Sequence, residues 1–291
     1  MSIVISGSGT YVPERVVSNE ELAAQIGTTP DWIEDRTGIR ERRYVAPGEA
    51  PSDMAVHAAR EAVEDAGVTV EAVDAIVFAT LSPGVQFPGS GVYLGTKLGL
   101  EGRPAMDVRN QCSGFLYALS VAHGWLSTRM YDRVLVIGAE AHSPGLDLSE
   151  DGRNVSALFG DGAGACVVER GPSSKGLLDL SLGADGSHAE SLWCELPGSA
   201  SHPHISAEDI ESGRHYPQMR GRAVFRAAVE HLEQELSELF DRNSIDPVAD
   251  NVLLVPHQAN RRINEMVAER LGMPEAQVVH TIDNYGNTTA A

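Results

Sequence analysis

Cysteine is scarce, with three in 291 residues: Cys112, Cys166 and Cys194. An odd number at wide spacings argues against a disulfide framework. Positive charge is also short. Against 41 Asp and Glu stand 22 Lys and Arg, a formal net charge of −19. Such a surface repels nucleic acid and anionic lipid. No apolar run approaches the roughly 20 residues that cross a bilayer. The N-terminal residues enter a strand pattern directly, without the basic, apolar and cleavage-site succession of a secretory leader. These absences predict a cytoplasmic protein with neither nucleic acid nor membrane as partner. What is present is apolar material, 42% of residues, with only 22% charged. That suffices for a large core in one or two fused domains. The 29 glycines mostly punctuate short apolar runs, the texture of an α/β protein.

Apolar or β-branched runs bounded by Gly or Pro predict strands over 3–12, 75–81, 105–108, 133–138, 163–169, 177–182, 251–256 and 278–282. Helices are predicted between them. Met54, Ala58, Ala62, Val63 and Ala66 form a 3.6-period stripe over 51–66, and 217–242 carries a similar one. A third helix covers 259–271, with Gly272 as its left-handed terminator. A fourth runs from Cys112 to about Met130 and is apolar nearly all round, which predicts a helix buried at a centre.

Residues 74–112 and 251–287 both run strand, helix, Leu-Gly, strand, polar turn. This is the pattern of a duplicated βαβ unit, matched in pattern rather than identity, so a chance likeness is the alternative. Duplication would set Cys112 and Asn287 at corresponding corners, with His257 closing the strand that opens the second unit. Carboxyl ends of parallel strands are where such sheets place their chemistry. The first unit continues into two more strands, whereas the second stops at Ala291, so the C-terminal half is predicted to be truncated. The expected organisation is an N-terminal half over 1–170 and a bridging hairpin with a variable loop over 171–216. An incomplete C-terminal half follows over 217–291.

Cys112 stands at a strand-to-helix turn, where backbone N–H groups stabilise a thiolate. A thiolate is a good nucleophile and its thioester a good acyl carrier. A buried structural cysteine fits the local sequence as well. Cys166, inside a strand, reads as core. His257 at a strand's carboxyl end could offer an N–H to a developing oxyanion, or be a satisfied structural histidine. Asn287 alone reads as a turn residue or helix cap.

Taken together, the motifs carry a family resemblance. They are GSGTYVP at 7–13, DWI at 31–33 with RTGIRER at 36–42, FP at 87–88 and QCSGF at 111–115. FGDGAGA at 159–165, PHQAN at 256–260 and YGNTTAA at 285–291 complete the set. Their order and spacing resemble β-ketoacyl-acyl-carrier-protein synthase III of the thiolase superfamily, the initiating condensing enzymes of bacterial fatty acid synthesis. The resemblance implies a thiolase-like fold of two duplicated βαβαβ-type halves in α/β/α/β/α layers. It implies a Cys112, His257, Asn287 triad and a homodimer. The reaction would be condensation of an acyl-coenzyme A primer with malonyl-acyl-carrier protein, without cofactor or metal. It further implies a coenzyme A path. Trp32 would stack the adenine, with Arg36, Arg153 and Arg262 near the nucleotide and phosphates. Thr28, Met219, Gly221, Phe225, Ala259 and Asn260 would line the tunnel. Phe87, Leu158 and Phe159 would form the acyl pocket, Phe87 across a dimer interface. Arg36, Arg40, Arg42 and Arg43 also read as an ordinary solvated face.

An acidic enzyme needs a local basic patch to receive an acidic carrier protein. Arg220, Arg222, Arg226, Arg261 and Arg262, with Arg214 nearby, are the densest candidates. His188, Cys194, His202, His204 and His215 share one irregular loop, but their spacing matches no regular zinc pattern, so no metal is expected. Two departures from the family stand out: Arg109-Asn110-Gln111 where small residues are usual, and the absence of a glycine-rich loop near the C-terminus. The alternatives are a specialised synthase of secondary metabolism with another primer or acceptor, a degradative thiolase, and an inactive truncated pseudo-enzyme.

Overall fold

The computed structural model describes residues 2–172 and 175–291; Met1 and residues 173–174, the latter within the expected bridging segment, lie outside them. The strands are β1 (Ser2–Tyr11), β2 (Arg15–Ser18), β3 (Glu41–Tyr44), β4 (Ala75–Ala79), β5 (Ala105–Val108), β6 (Arg133–Glu140), β7 (Gly162–Gly171), β8 (Leu192–Trp193) and β9 (Gln218–Met219). The helices are α1 (Asn19–Gln25), α2 (Pro30–Thr37), α3 (Pro51–Asp65), α4 (Ser90–Leu98), α5 (Gly114–Ser127), α6 (Arg153–Ser156), α7 (Ala207–Glu211), α8 (Gly221–Asn243), α9 (Arg261–Arg270) and α10 (Ile282–Tyr285).

Five strands form one mixed sheet in the order β1-β7-β6-β4-β5. β4 pairs parallel with both β5 and β6, while β7 is antiparallel to β6 and β1. β4 is buried at every residue, as a central parallel strand covered on both faces must be. Its alternation sorts the core into two. Ile76 and Phe78, with Leu135 and Ile137 of β6, pack against α3 and α4. Val77 and Ala79, with Val134 and Val136, pack against α5.

The α3 seam is made of small residues because the backbones nearly touch. A Cβ added to Gly9 of β1 would sit 2.3 Å from the Ala58 carbonyl oxygen, and one on Gly7 equally close to that of Ala62. Pro51 opens α3, where a missing N–H costs nothing, and the Ala50 N–H is taken by the Asp53 carboxylate at 3.0 Å.

Several expectations need correction. Residues 177–182 make no strand. The Leu177 N–H donates to the Ile3 carbonyl at 2.8 Å, but Leu178 is 81% exposed and no ladder follows. Residues 251–256 and 278–282 meet only at one parallel bridge, Leu254 with Val278. Leu253 and Val255 are largely exposed, and Ile282 begins α10 instead. A parallel pair is weak per residue, and one isolated bridge does not extend a strand. α8 starts at Gly221 because Gln218 and Met219 pair with β8. α9 starts at Arg261 because Asn260 caps it, its side chain accepting the Arg262 N–H at 2.9 Å. α5 buries one face only, through Ala118, Leu119, Ala122 and Leu126, while Leu116 is half exposed. The expectation of burial all round fails within one protomer.

The C-terminal region packs α8 on α9 through Phe225, Val229, Leu232, Ile263 and Val267. Leu254 and Val278 flank α9 as β4 and β5 flank α4. Both helices are followed by a left-handed glycine, Gly99 at φ 75° and Gly272 at φ 66°. Among the described residues no helix is long and apolar enough to cross a membrane.

Two glycine substitutions should part company. Gly9→Ala drives a methyl into the α3 backbone and should cost about 2–3 kcal/mol. Gly124→Ala, in mid-α5 with nothing within 4 Å of the added atom, should gain up to about 1 kcal/mol. Urea denaturation of both variants reads the difference.

Candidate active site

Three segments converge on Cys112. The first is its own turn. β5 ends at Val108, a single 3₁₀ turn covers Gln111–Ser113, and Gly114 begins α5. Gln111 is left-handed at φ 45°, which directs the turn sharply into the helix. The second is the end of the chain. A Cβ on Gly114 would meet Ala290 at 3.4 Å, and one on Gly138 of β6 would overlap the Ala290 carbonyl. Residues 287–290 are therefore laid between β6 and the α5 start. The third is the loop 158–160. The Asn287 N–H donates to the Leu158 carbonyl (2.8 Å), and the Gly160 N–H donates to that of Asn287 (3.1 Å).

Arg42 supports this last contact from below. It is fully buried, donating to Asn19 Oδ1 (2.8 Å) and to the carbonyls of Ala157 (3.2 Å) and Val17 (3.4 Å). Its Cβ lies where side chains on Gly160 or Gly286 would have to go. Burial lowers its pKa, partly offset by Tyr44 and Glu41. The solvated-face reading is thus wrong for Arg42. Asp161 makes the matching anionic hub, accepting N–H groups from Val45 (2.8 Å), His142 (2.6 Å) and Ser143 (2.9 Å). Burial raises its pKa against those bonds.

Asn287 is oriented by its own turn: Oδ1 accepts the Thr289 N–H at 2.9 Å. Thr289 is left-handed at φ 58°. Its Oγ1 lies 2.6 Å from Nε2 of His142, whose ring packs on Phe159 with centroids 4.6 Å apart. The Nε2 atom of His257 is buried and has no partner among the described residues. The next residue, Gln258, ties that segment to the one leading to Asn287. Its Nε2 donates to Pro256 O (2.8 Å) and Val279 O (3.0 Å), and its Oε1 accepts from Thr281 N (3.0 Å) and Ile282 N (3.2 Å).

Glu140, fully buried at the end of β6, faces the loop that follows β4. Its carboxylate accepts from Thr80 Oγ1, Leu81 N and Ser82 N, each at 3.1 Å, and from Ser82 Oγ at 2.5 Å. Burial outweighs these bonds and raises its pKa to about 7. Cys112 is pushed up to about 12, first by burial and then by Glu140, against its backbone hydrogen bond and the Thr289 side chain. The helix-start argument for a readily ionised thiol is therefore overruled in the resting site. Burial brings His257 and His142 down to about 4, so both imidazoles are neutral.

Residues 106–186 match the profile of 3-oxoacyl-[acyl-carrier-protein (ACP)] synthase III, and residues 244–291 that of its C-terminal region. The chain is 40% identical over 287 residues to β-ketoacyl-[acyl-carrier-protein] synthase III of Caldanaerobacter subterraneus, covering 99% of this chain and 85% of that protein. It belongs to the β-ketoacyl-acyl-carrier-protein synthase III family. The crystal structure of the Pseudomonas aeruginosa 3-oxoacyl-(acyl carrier protein) synthase III superposes with a TM-score of 0.90 at 36% identity, over 100% of this chain and 86% of that one. The priming β-ketosynthase of the R1128 polyketide pathway superposes at 0.89 with 35% identity, over 100% and 84%. The fold is thus the thiolase-like α/β fold of this family.

Among residues the family resemblance singles out, the structure gathers most of the coenzyme A set. Trp32, Met219 and Leu192 pack against one buried cluster that includes Ile33 and Phe159. The guanidinium of Arg36 lies 4.6 Å from the Trp32 ring centroid and that of Arg153 lies 6.0 Å away. Asn260 Nδ2 donates to the Arg36 carbonyl (2.9 Å), joining this cluster to Ala259, Phe225 and Arg262, whose guanidinium is 6.0 Å over the Phe225 ring. A Cβ on Gly221 would touch Met219 at 3.5 Å. Thr28, half-buried before α2, donates its N–H to Ala23 O. Leu158 and Phe159 are buried, whereas Phe87 is 85% exposed and closes nothing within one protomer.

Of the arginines expected on a docking face, Arg220, Arg222, Arg226 and Arg262 form no ion pair among the described residues. Arg261 pairs with Glu265 and Glu275, and Arg214 with Glu195 and Asp209. In the His-rich loop, Cys194 Sγ donates to the carbonyls of Leu196 (3.2 Å) and His215 (3.3 Å). Among the described residues no three His, Cys, Asp or Glu gather as a ligand set.

The buried carboxyl has a measurable pH signature. A folded-state pKa above the unfolded value means that Glu140 favours folding below pH 4.5 and loses that advantage as pH rises toward 7. His142 and His257 act oppositely, losing stability as pH falls from 6.5 toward 4. Urea titrations of wild type and Glu140→Gln should therefore diverge with pH. The difference should shift by about 3 kcal/mol in favour of Gln between pH 4.5 and pH 8.

Proposed function

We propose that Cys112, His257 and Asn287 carry the family's decarboxylating condensation, with Cys112 as nucleophile. The reaction joins an acyl-coenzyme A primer to malonyl-acyl-carrier protein and gives a 3-oxoacyl-acyl-carrier protein. One observation carries the assignment of roles: His257 Nε2 is buried on a neutral ring and, among the described residues, has no partner, which leaves it free to serve a developing oxyanion as an N–H donor.

The proposed steps are these. The Cys112 sulfur attacks the primer thioester, and the thiol proton ends on the departing coenzyme A sulfur. Malonyl-acyl-carrier protein then enters. Its carboxylate leaves as carbon dioxide, and the electron pair of the broken C–C bond becomes an enolate. In this reading two neutral donors serve that oxygen: the His257 Nε2–H and the Asn287 Nδ2 amide, the Oδ1 of that amide being already engaged by Thr289. Neutral donors stabilise developing charge without first having to lose their own. The enolate carbon attacks the acyl-Cys112 carbonyl, and the cysteine thiolate leaves and is reprotonated.

The wider reading rests on the same residues. Trp32, Arg36, Arg153 and Arg262 form the nucleotide end of the coenzyme A path; Thr28, Met219, Gly221, Phe225, Ala259 and Asn260 form its walls. Leu158 and Phe159 line the acyl pocket, with Phe87 offered to a second protomer in a homodimer. The parallel bridge at Leu254 and Val278, with its left-handed Gly272, supports two duplicated halves in five layers, 1–170 and 217–291, joined through 171–216. A second reading, priming of polyketide assembly, is supported by the likeness to the R1128 enzyme. A panel of acyl-coenzyme A primers run with malonyl-acyl-carrier protein separates the two.

Radiolabelled acetyl from acetyl-coenzyme A should remain on the denatured protein and vanish with Cys112→Ser. His257→Ala and Asn287→Ala should keep that label while condensation falls about 10²–10³-fold. A label that survives Cys112→Ser refutes the nucleophile. Arg222→Glu with Arg226→Glu should lower kcat/KM for the carrier-protein substrate about tenfold and leave acetyl loading unchanged. Equal losses in both assays exclude these arginines as the docking face.

A further inference from the structure

The reaction above asks two side chains on separate loops, His257 and Asn287, to serve one oxygen atom. Little main-chain structure sets the distance between those loops. Among the described residues, segments 251–256 and 277–282 share two backbone hydrogen bonds: Leu254 N–H to Gln277 O (2.7 Å) and Val279 N–H to Leu254 O (2.9 Å). In a parallel ladder the next rung would join Pro256 N to Val279 O and Thr281 N to Pro256 O. Proline has no N–H, so the first of these bonds cannot form. The ladder stops there, one residue before His257.

The Gln258 side chain takes up the groups that the rung would have used. Its Nε2 donates to Pro256 O (2.8 Å) and to Val279 O (3.0 Å), and its Oε1 accepts the Thr281 N–H (3.0 Å). The same oxygen accepts the Ile282 N–H (3.2 Å), the first of α10, which has no side-chain cap from its own Thr281. The partners fix the orientation of the amide. Flipped, it would set its oxygen against two carbonyls and its NH2 against two N–H groups. One side-chain amide thus stands in for a missing peptide N–H and fills a rung of the ladder.

We infer that Gln258 is a positioning residue for the His257 and Asn287 pair: its amide, inserted where the ladder breaks at Pro256, sets the spacing of the two loops that carry them. His257 lies between Pro256 and Gln258, both of which the amide holds. Asn287 is reached through α10, whose start hangs from Oε1. Two donors help one oxyanion only where both come within about 3 Å of it. A slip of about 1 Å between the loops removes one of them. Cys112 stands on the α5 turn, and Gln258 makes no hydrogen bond to that turn among the described residues, so primer loading does not depend on the brace.

This role rests on the reading of His257 and Asn287 as enolate donors, so one measurement follows position and another follows chemistry, both in the full chain. Gln258→Met keeps the length of the side chain and removes its hydrogen bonds. In hydrogen–deuterium exchange read by mass spectrometry, the amides of 284–289, none of them bonded to Gln258, should exchange about tenfold faster than in wild type, with β1 and β7 unchanged. Acetyl labelling of Cys112 and KM for malonyl-acyl-carrier protein should stay within about twofold, while kcat for condensation falls about 10–100-fold. In the Asn287→Ala background the same substitution should cost less than about threefold, because one donor has already gone. Unchanged exchange at 284–289, equal losses in loading and condensation, or losses that multiply with Asn287→Ala would each overturn the inference. If Gln258→Met does not fold, Gln258→Glu has the same shape, keeps the contacts to Thr281 and Ile282 and loses those to Pro256 and Val279. It must show the same split between loading and kcat; condensation at the wild-type rate overturns the inference. Faster exchange in Gln258→Met, together with full condensation by His257→Ala and Asn287→Ala, leaves the brace standing and refutes the donor reading.

Discussion

The site depends on a backbone contact with no room for side chains. At residues 158–160 and 285–287 two stretches remote in sequence cross so closely that Gly160 and Gly286 are the residues that fit, with Arg42 packed beneath them. The C-terminal part of the site hangs from that crossing. Asn287 is delivered by it, Thr289 follows within one turn, and the last residues are pressed between β6 and the start of α5. The guanidinium suits the task because its fork serves three oxygens at once, and main-chain oxygens in a buried crossing have no water to turn to.

Burial shapes the chemistry as much as position does. Taking Cys112, Glu140, His142 and His257 out of water favours the neutral form of each. For His257 in its proposed role this is useful, since a neutral N–H can bind an enolate without competing for its proton. For the cysteine it is a cost that the helix start and Thr289 offset only in part. A thiol that ionises chiefly when a thioester arrives is also protected from oxidation between turnovers.

Much of this was legible in the chain itself. Cys112 could be placed because a strand, a polar turn and an apolar helix follow one another, and Asn260 and Gly272 because caps are local signals. The β4–β6 frame followed from buried apolar runs of the right length. What could not be read were groups defined by distant partners. Arg42 lies in an arginine-rich stretch that looks solvated, and only the loop at 157 and the asparagine at 19 reveal it as buried. Glu140 left a faint trace, one carboxylate closing an otherwise apolar strand. His142 left none. The strands expected at 251–256 and 278–282 show the converse: the composition is right, but a strand exists by virtue of its neighbours, and here it has a single bridge.

The α3 seam carries a consequence for how this sequence can change over time. Gly7 and Gly9 meet Ala58 and Ala62 with their backbones in near contact. Nothing larger fits at the glycines. The alanines have little room to grow. Such a seam is closed to drift in volume, so change in that layer must come through paired substitutions that pass via a less stable intermediate. The outer turns of α3 and α4 carry no such restriction. Two faces of the same helices should therefore keep different evolutionary clocks, one nearly stopped and one running freely.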